Sequence, residues 1–346
     1  MTRIDAHDER WMRVALSLAK RGLGQVAPNP SVGCLLVKNG IIVGRGWTQP
    51  GGRPHAETMA LATAGKKAAG STAYVTLEPC AHTGQTGPCA EALVAAGVER
   101  VVIATDDPDP RVSGRGISIL KNAGLAVTTN ILTPEADTIN ASFFNRITRS
   151  RPLFTLKTAS TLDGRIALAN GESKWITSPR AREMAHRLRA THDAILVGSG
   201  TVLADNPSLT CRLQGVAGRN PVRIVLGGSG QIAPEAHVND GSVETLNYSE
   251  STNVDPHSLS DVVEDLGKRG VNSVLIEGGG RVAASFLMSG LVDCLEVFSA
   301  GKFIGSSGIP AIRELELAKL EDAPHFTLRK IRRLGPDMLA SYVKAE

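Results

Sequence analysis

Any fold open to this chain has to bring three separated side chains together. His55, Cys80 and Cys89 are of the types that zinc takes as imidazole or thiolate ligands, and they stand within one stretch of the amino-terminal half. Three ligands leave one tetrahedral position open to water, whereas a structural zinc is held by four. A structural ion is the plain reading of any Cys/His set. Against it, Cys80 follows Pro79 at the end of an apolar run, His55-Ala56-Glu57 opens a helical pattern, and no fourth ligand accompanies them. The pattern therefore favours an ion with a working, open position. Glu57 stands two residues from His55, about 200° around an ideal helix, so it reads as a proton carrier beside the ion and not as a fourth ligand.

The order H-x-E, then P-C, then a second Cys is the signature of zinc-dependent nucleobase deaminases, in which the ion activates water for attack on an amidine-type ring carbon and the Glu shuttles protons. One departure is plain. Eight residues, Ala81 to Pro88, separate the cysteines where that signature has two. The segment with His82, Gly84, Gly87 and Pro88 must loop out and return Cys89 to the ion.

At 346 residues the chain exceeds what one compact core usually holds, so two domains are expected. Hydrophobic residues at 42% and charged residues at 21% exclude a disordered chain. A net charge of +4 is too diffuse for a nucleic-acid partner and suits a small anionic substrate. Cys34, Cys211 and Cys294 remain outside the metal set, and with no secretory signal in Met1 to Arg13 they read as reduced, buried thiols. No apolar run approaches a membrane span, so a cytoplasmic location is expected.

Helix Asp8 to Arg21 carries one apolar face. Strands Val32 to Val37 and Ile41 to Trp47 flank Asn39-Gly40, a strong hairpin signal. Asn29, held between Pro28 and Pro30, reads equally as a turn residue or as a reader of a pyrimidine edge. A helix from His55 to Ala64, strand Thr72 to Leu77, helix Cys89 to Ala96 and strand Arg100 to Thr105 follow. Asp106 to Pro110 reads as a loop whose acids could contact substrate, a solvated turn being the plainer reading. Helix Gly116 to Asn122, strand Leu125 to Ile131 and a helix from Pro134 to about Ile147 complete an alternating α/β domain, with Ser150-Arg151-Pro152 as linker.

The second half opens with strand Leu153 to Ala159, carrying Lys157. Helix Ser178 to Ala190 is capped by Ser178 with Pro179 at its first position. Strands Ala194 to Val197 and Val222 to Leu226, the turn Gly227 to Gly230, helix Leu259 to Lys268 and strand Ser273 to Glu277 come next. Gly278, Gly280 and Ala283 then satisfy G-x-G-x-x-A, in which glycines admit a pyrophosphate to a helix start. Strand Leu291 to Ser299 lacks the terminal acid of a Rossmann fold. That absence points to a nicotinamide nucleotide on another scaffold, NADP rather than NAD. In a terminal hairpin, Phe326 to Arg333 and Met338 to Val343, the basic residues Arg329, Lys330, Arg332 and Arg333 read as edge-strand charges rather than a nucleic-acid patch.

Both halves together resemble the bifunctional riboflavin-biosynthesis deaminase/reductase family over essentially the full length. The likeness rests on Pro28-Asn29-Pro30 with Val32-Gly33, His55-Ala56-Glu57, Glu78-Pro79-Cys80 with Cys89, Leu162-Asp163-Gly164-Arg165, Gly171-Glu172-Ser173 with Trp175 to Ser178, Val202 to Pro207, and Glu277 with its glycines. It implies an α/β chain: a cytidine-deaminase-like three-layer domain over 1–148 and a dihydrofolate-reductase-like domain over 149–346. It implies zinc-dependent deamination of a diaminopyrimidinone phosphoribosylamine, then NADPH-dependent reduction of the ribosyl group to ribityl through its open-chain imine. The long Cys80 to Cys89 spacing is the one this family uses.

Carried over to matching positions, the likeness places NADPH against Ala159, Trp175, Thr201, Asp205 and the turn Gly279, Gly280, Arg281, Val282, Ala283, Ala284 and Ser285. Substrate meets Asn29 in the first site, and Ser173, Arg189, Leu209, Arg212 and Glu277 in the second. Arg189 and Arg212 are suited to grip a phosphate in fork geometry. Lys157 and Asp205 are both candidates for the catalytic acid of reduction, unranked. Trp175 reads as a cofactor wall or as a core residue. An editing enzyme acting on nucleic acid is the competing reading, disfavoured by the lack of a basic, aromatic-interleaved face. The family also leads us to expect a homodimer or homotetramer without membrane or nucleic-acid partners.

Overall fold

The computed structural model describes residues 6–82, 87–216, 218–227, 232–249, 254–255 and 257–345. Gly84 of the looped insert, residues 228–230 of the expected glycine turn, and residues 1–5 lie outside them. The chain divides into two compact units, Met1–Ser150 and Arg151–Glu346.

The first unit runs α1 (Ala6–Ala19), β1 (Gly33–Lys38), β2 (Ile41–Trp47), α2 (Ala56–Ala64), β3 (Thr72–Val75), α3 (Cys89–Ala95), β4 (Arg100–Ile103), α4 (Arg115–Asn122), β5 (Ala126–Thr128) and α5 (Thr133–Arg149). Its sheet has the order β2-β1-β3-β4-β5, antiparallel across β2, β1 and β3 and parallel from β3 to β5. Alternation along each strand makes it the middle of three layers, because successive side chains leave a strand on opposite faces. Cys34, Leu36, Ala73, Val75, Val101 and Ile103 go to one core with α2, α3 and α4. Leu35, Val37, Tyr74 and Val102 go to another, with α1 and α5. Each fully buried Leu or Ile contributes about 1.5–3 kcal/mol.

The second unit runs β6 (Leu153–Thr161), β7 (Arg165–Ala167), α6 (Pro179–Ala190), β8 (Ala194–Gly198), α7 (Ser199–Asp205), β9 (Val222–Leu226), β10 (Thr245–Tyr248), α8 (Leu259–Lys268), β11 (Ser273–Ile276), α9 (Gly280–Met288), β12 (Val292–Ala300), β13 (Ile309–Pro310), β14 (Phe326–Leu334) and β15 (Asp337–Lys344). The order β10-β9-β8-β11-β6-β12-β15-β14 is parallel as far as β12 and antiparallel beyond it. This is not the Rossmann order, which agrees with the missing ribose acid. β7 and β13 form a separate pair.

Several local expectations need correction. Residues 199–205 form the short helix α7 directly after β8. β3 ends at Val75 rather than Leu77, since Thr76 turns its hydroxyl to the Gly33 N–H and Glu78 takes the Thr105 carbonyl. All five cysteines are free, but Cys294 is only partly buried. The basic residues of β14 do lie on an exposed edge strand. Among the described residues no helix is long and apolar enough to cross a membrane.

Candidate active sites

In the first unit His55 is the N-cap of α2, with an extended backbone (φ −69°, ψ 163°). The 200° separation from Glu57 presumed that both residues were helical. Because His55 stands outside the helix, the two side chains line the same cavity. Cys89 is the first residue of α3 and is 2% exposed. His55 Nδ1 lies 3.3 Å from Cys89 Sγ and 3.7 Å from Cys80 Sγ, and the three ligand atoms fall within 4.8 Å of one another. Tetrahedral zinc, with bonds of about 2.0–2.1 Å to nitrogen and about 2.3 Å to sulfur, sets nitrogen and sulfur roughly 3.5 Å apart. The donor set and its spacing therefore fit zinc. Among the described residues no further His, Cys, Asp or Glu joins the group.

The two thiols of the cluster are driven apart: Cys89 is held well above its ordinary value, first by its hydrogen bond to Cys80 and then by burial. A hydrogen bond from Cys89 draws Cys80 down to about 4 against its burial, and the His55 imidazole and the Cys89 main-chain N–H, 3.3 Å from Cys80 Sγ, assist. Burial, and then the Cys80 charge, push the Glu57 carboxyl up to about 7. Glu57 is 4% exposed and sits in the wall of a cavity of about 620 Å³.

Asn29 lines that cavity, and its Nδ2 donates to the Gly52 carbonyl at 2.7 Å, so part of its amide is a turn device as well as a surface for ligand. The aspartates of the Asp106 to Pro110 loop are not solvated as expected. Asp107 and Asp109 are 6% and 5% exposed and line the cavity, while Asp106 faces solvent. Burial pushes Asp107 up to about 6, and the Arg111 guanidinium holds Asp109 below its ordinary value. His82 shares the wall, its Nδ1 buried without a hydrogen-bond partner among the described residues.

Glu78, which the sequence left without a role, positions Cys80. Its carboxylate accepts the main-chain N–H groups of Gly114 (3.0 Å) and Ile117 (3.2 Å), capping α4. α4 then approaches so closely that a Cβ on Gly116 would stand 2.0 Å from the Pro79 carbonyl oxygen. Alanine would favour the helix by about 1 kcal/mol, but that clash falls on backbone next to a metal ligand. Gly116→Ala is expected to lose most of its zinc and its deamination while reduction persists, measured by metal analysis and both activities; full zinc occupancy would contradict this account of Glu78.

In the second unit a cavity of about 220 Å³ gathers Lys157, Ala159, Ser173, Trp175, Arg189, Arg212 and Glu277. Glu277 follows β11 and is gripped by Arg189 through Nε (2.7 Å) and Nη2 (3.0 Å), with Lys157 Nζ at 3.4 Å. Burial alone would raise this carboxyl, but the charges of Arg189 and then Lys157 overcome it and hold it well below the ordinary range. The Arg189 fork expected to grip phosphate is thus occupied by Glu277, and its Nη1 donates to the Thr210 carbonyl. Trp175 is 62% exposed, which rules out a core role.

A depressed carboxyl stabilises the fold above its unfolded value, here ordinarily 4.5, and that contribution is lost as pH falls towards the folded value. The Tm difference between the native chain and Glu277→Gln should therefore be largest at neutral pH and shrink below about 4.5. A difference independent of pH would argue against the ion pair.

The remaining predicted residues lie elsewhere. Thr201 and Asp205, four apart, share one face of α7, and Thr201 Oγ1 is 3.7 Å from where a Cβ on Gly279 would be. Asp205 ends α7 exposed and is not among the residues lining the Lys157 cavity. Gly279 is the N-cap of α9, so the expected turn to Ser285 is instead the opening of a helix. Gly280 is required by packing, since a Cβ there would stand 2.9 Å from the Pro310 carbonyl oxygen, and Gly278 abuts Val282; at Gly279 a Cβ would meet only ordinary contact with Thr201. Ala283 and Ala284 are buried, and the Ser285 hydroxyl donates to the Arg281 carbonyl. What remains for a ligand is the main-chain N–H groups of Gly280, Arg281 and Val282, which lack intrahelical partners. Leu209 is a core side chain at φ +54°, so only its backbone is open to substrate.

Arg182 and His186, not singled out from the sequence, also line the Lys157 cavity. With Arg189 they keep the i, i+4, i+7 spacing of one helix face, a signal that was present but resembled a basic surface stripe.

Comparison with known proteins gives consistent matches for both units. Residues 5–105 match the cytidine and deoxycytidylate deaminase zinc-binding region, and residues 152–340 match the RibD C-terminal domain. The riboflavin biosynthesis protein RibD of Escherichia coli K12 is 42% identical, covering 98% of this chain and 100% of its own; that of Aquifex aeolicus is 40% identical over 96% and 97%. Among solved structures, Acinetobacter baumannii RibD superposes with a TM-score of 0.90 at 36% identity, over 98% of this chain and 99% of that one. A Thermotoga maritima diaminohydroxyphosphoribosylaminopyrimidine deaminase/5-amino-6-(5-phosphoribosylamino)uracil reductase does so with 0.88 at 37%, over the same shares.

Proposed function

The chain belongs to the bifunctional riboflavin-biosynthesis deaminase/reductase family, and from that membership we propose two successive reactions on a phosphoribosylaminopyrimidine. The observation that carries the first is the His55, Cys80 and Cys89 cluster beside a buried Glu57 in one cavity. Zinc bound by those three residues supplies a water acidic enough to be the nucleophile at neutral pH. Glu57 takes a proton from the attacking water and delivers it to the ring nitrogen, then carries the proton of the newly formed hydroxyl to the exocyclic amino group. The bond from the ring carbon to the exocyclic 2-amino group then breaks, its electron pair leaves with ammonia, and a ring carbonyl remains. Asn29 and Asp107 line the same cavity and are placed to read the ring's polar edge.

For the second reaction, the main-chain N–H groups at the start of α9 would hold the phosphates of NADPH, which would supply the hydride that reduces C1′ of the open-chain imine. Lys157 protonates the nitrogen, so that C=N becomes CH–NH. Of the two candidates for this acid, Lys157 lines the cavity and is oriented by Glu277, whereas Asp205 stands with Thr201 beside Gly279 and suits cofactor binding. We assign the deaminase to the first unit and the reductase to the second, and expect a cytoplasmic homodimer or homotetramer, which light scattering can size.

Metal removal tests this reading. Dialysis against a chelator should abolish ammonia release from the diaminopyrimidine and leave reduction of the aminouracil intact, and zinc should restore the former. Deamination that survives metal loss would refute it.

A further inference from the structure

With the Arg189 fork closed on Glu277, the anionic end of the substrate needs another partner. Four cations, Lys157, Arg182, Arg189 and Arg212, line the second cavity against the single carboxylate of Glu277. That carboxylate engages Lys157 and Arg189. Arg182 has no carboxylate partner among the described residues. Its Nη1 donates to the Thr177 carbonyl at 2.8 Å, and its guanidinium carbon lies 4.3 Å from the centroid of the Trp175 ring. Stacking and the carbonyl fix the plane of the guanidinium, leaving its remaining N–H groups as a preorganised donor edge.

The walls around it agree. Arg212 is exposed at the rim, and its main-chain N–H donates to His186 Nδ1 at 3.3 Å, so a neutral His186 carries its proton on Nε2. Burial, and then the charges of Arg189 and Arg212, lower the pKa of that imidazole against the pull of Glu277 and a Thr210 main-chain contact. The rim thus offers two guanidiniums, a donor surface suited to a phosphate dianion. The main-chain donors proposed for the cofactor's phosphates belong to α9.

Building on the reductase reading, we infer that Arg182 is a specificity-determining residue of that site, binding the phosphate of the phosphoribosyl substrate together with Arg212. The test uses the full-length, zinc-loaded chain and two substrates, the phosphoribosylaminouracil and its dephosphorylated counterpart, with NADPH oxidation as readout. Arg182→Ala should raise KM for the phosphorylated substrate about 10- to 100-fold. Its kcat should change less than about threefold, and so should kcat/KM on the dephosphorylated substrate and KM for NADPH. Arg182→Lys should fall between, retaining charge without the fork.

Equal penalties on both substrates would overturn the inference, because Arg182 would then act only by holding the Trp175 segment. A raised KM for NADPH would overturn it in favour of a cofactor contact. If the unsubstituted chain oxidised NADPH with neither substrate, the reductase reading itself would fall and the inference with it.

Discussion

Glu57→Gln should release ammonia some 10²- to 10⁴-fold more slowly than the native chain while keeping its zinc and its reductase turnover. Glutamine preserves the volume and polarity of a side chain that is 4% exposed in the cavity wall. It cannot accept a proton from water and return it to the pyrimidine. His55, Cys80 and Cys89 remain as they were, so metal analysis should find the native zinc content. Zinc lost along with activity would make Glu57 a structural support of the cluster. Undiminished ammonia release would remove it from the chemistry.

The second large effect is expected at Lys157. Lys157→Met keeps the length of the side chain beside Phe298, whose ring centroid is 5.8 Å from Nζ. Glu277 would still hold both Arg189 contacts. The substitution therefore avoids the roughly 3–5 kcal/mol that follows when a buried charge is left without any partner. Reduction should fall about 10²- to 10⁴-fold in kcat, with NADPH affinity within about threefold of native. Asp205→Asn should show the opposite split, a weaker hold on NADPH with kcat largely kept. Should Lys157→Met retain kcat while Asp205→Asn loses it, the two roles are exchanged.

The parts of this molecule legible in the sequence are those set by local chemistry. Asn39-Gly40 marks a hairpin because few other pairs accept its turn, and β1 and β2 pair across it. Ser178-Pro179 opens α6, with the Ser178 hydroxyl accepting from Ala181. The zinc ligands were readable because thiolate and imidazole are what the ion requires, and the apolar runs placed Cys80 and Cys89 at element ends.

What escaped depends on partners far apart in the chain. Nothing near Glu277 announces that Arg189 and Lys157 will neutralise it across two other elements. Asp107 and Asp109 stand in a polar, proline-broken stretch and look solvated; only the fold buries them. The glycines after Glu277 fit a pyrophosphate motif, yet Gly280 is dictated by Pro310 on a distant loop. Arg182 and His186 lie on a helix whose buried residues are only Ala181 and Ala190, so its cavity face resembles a solvated one.

The most direct test of two coupled reactions on one chain is a time course with zinc, NADPH and the diaminopyrimidine phosphate, following ammonia and NADPH oxidation separately. Ammonia should appear first, NADPH oxidation should follow after a lag, and the two should reach equal totals. NADPH oxidation that precedes or outruns ammonia release would contradict the account.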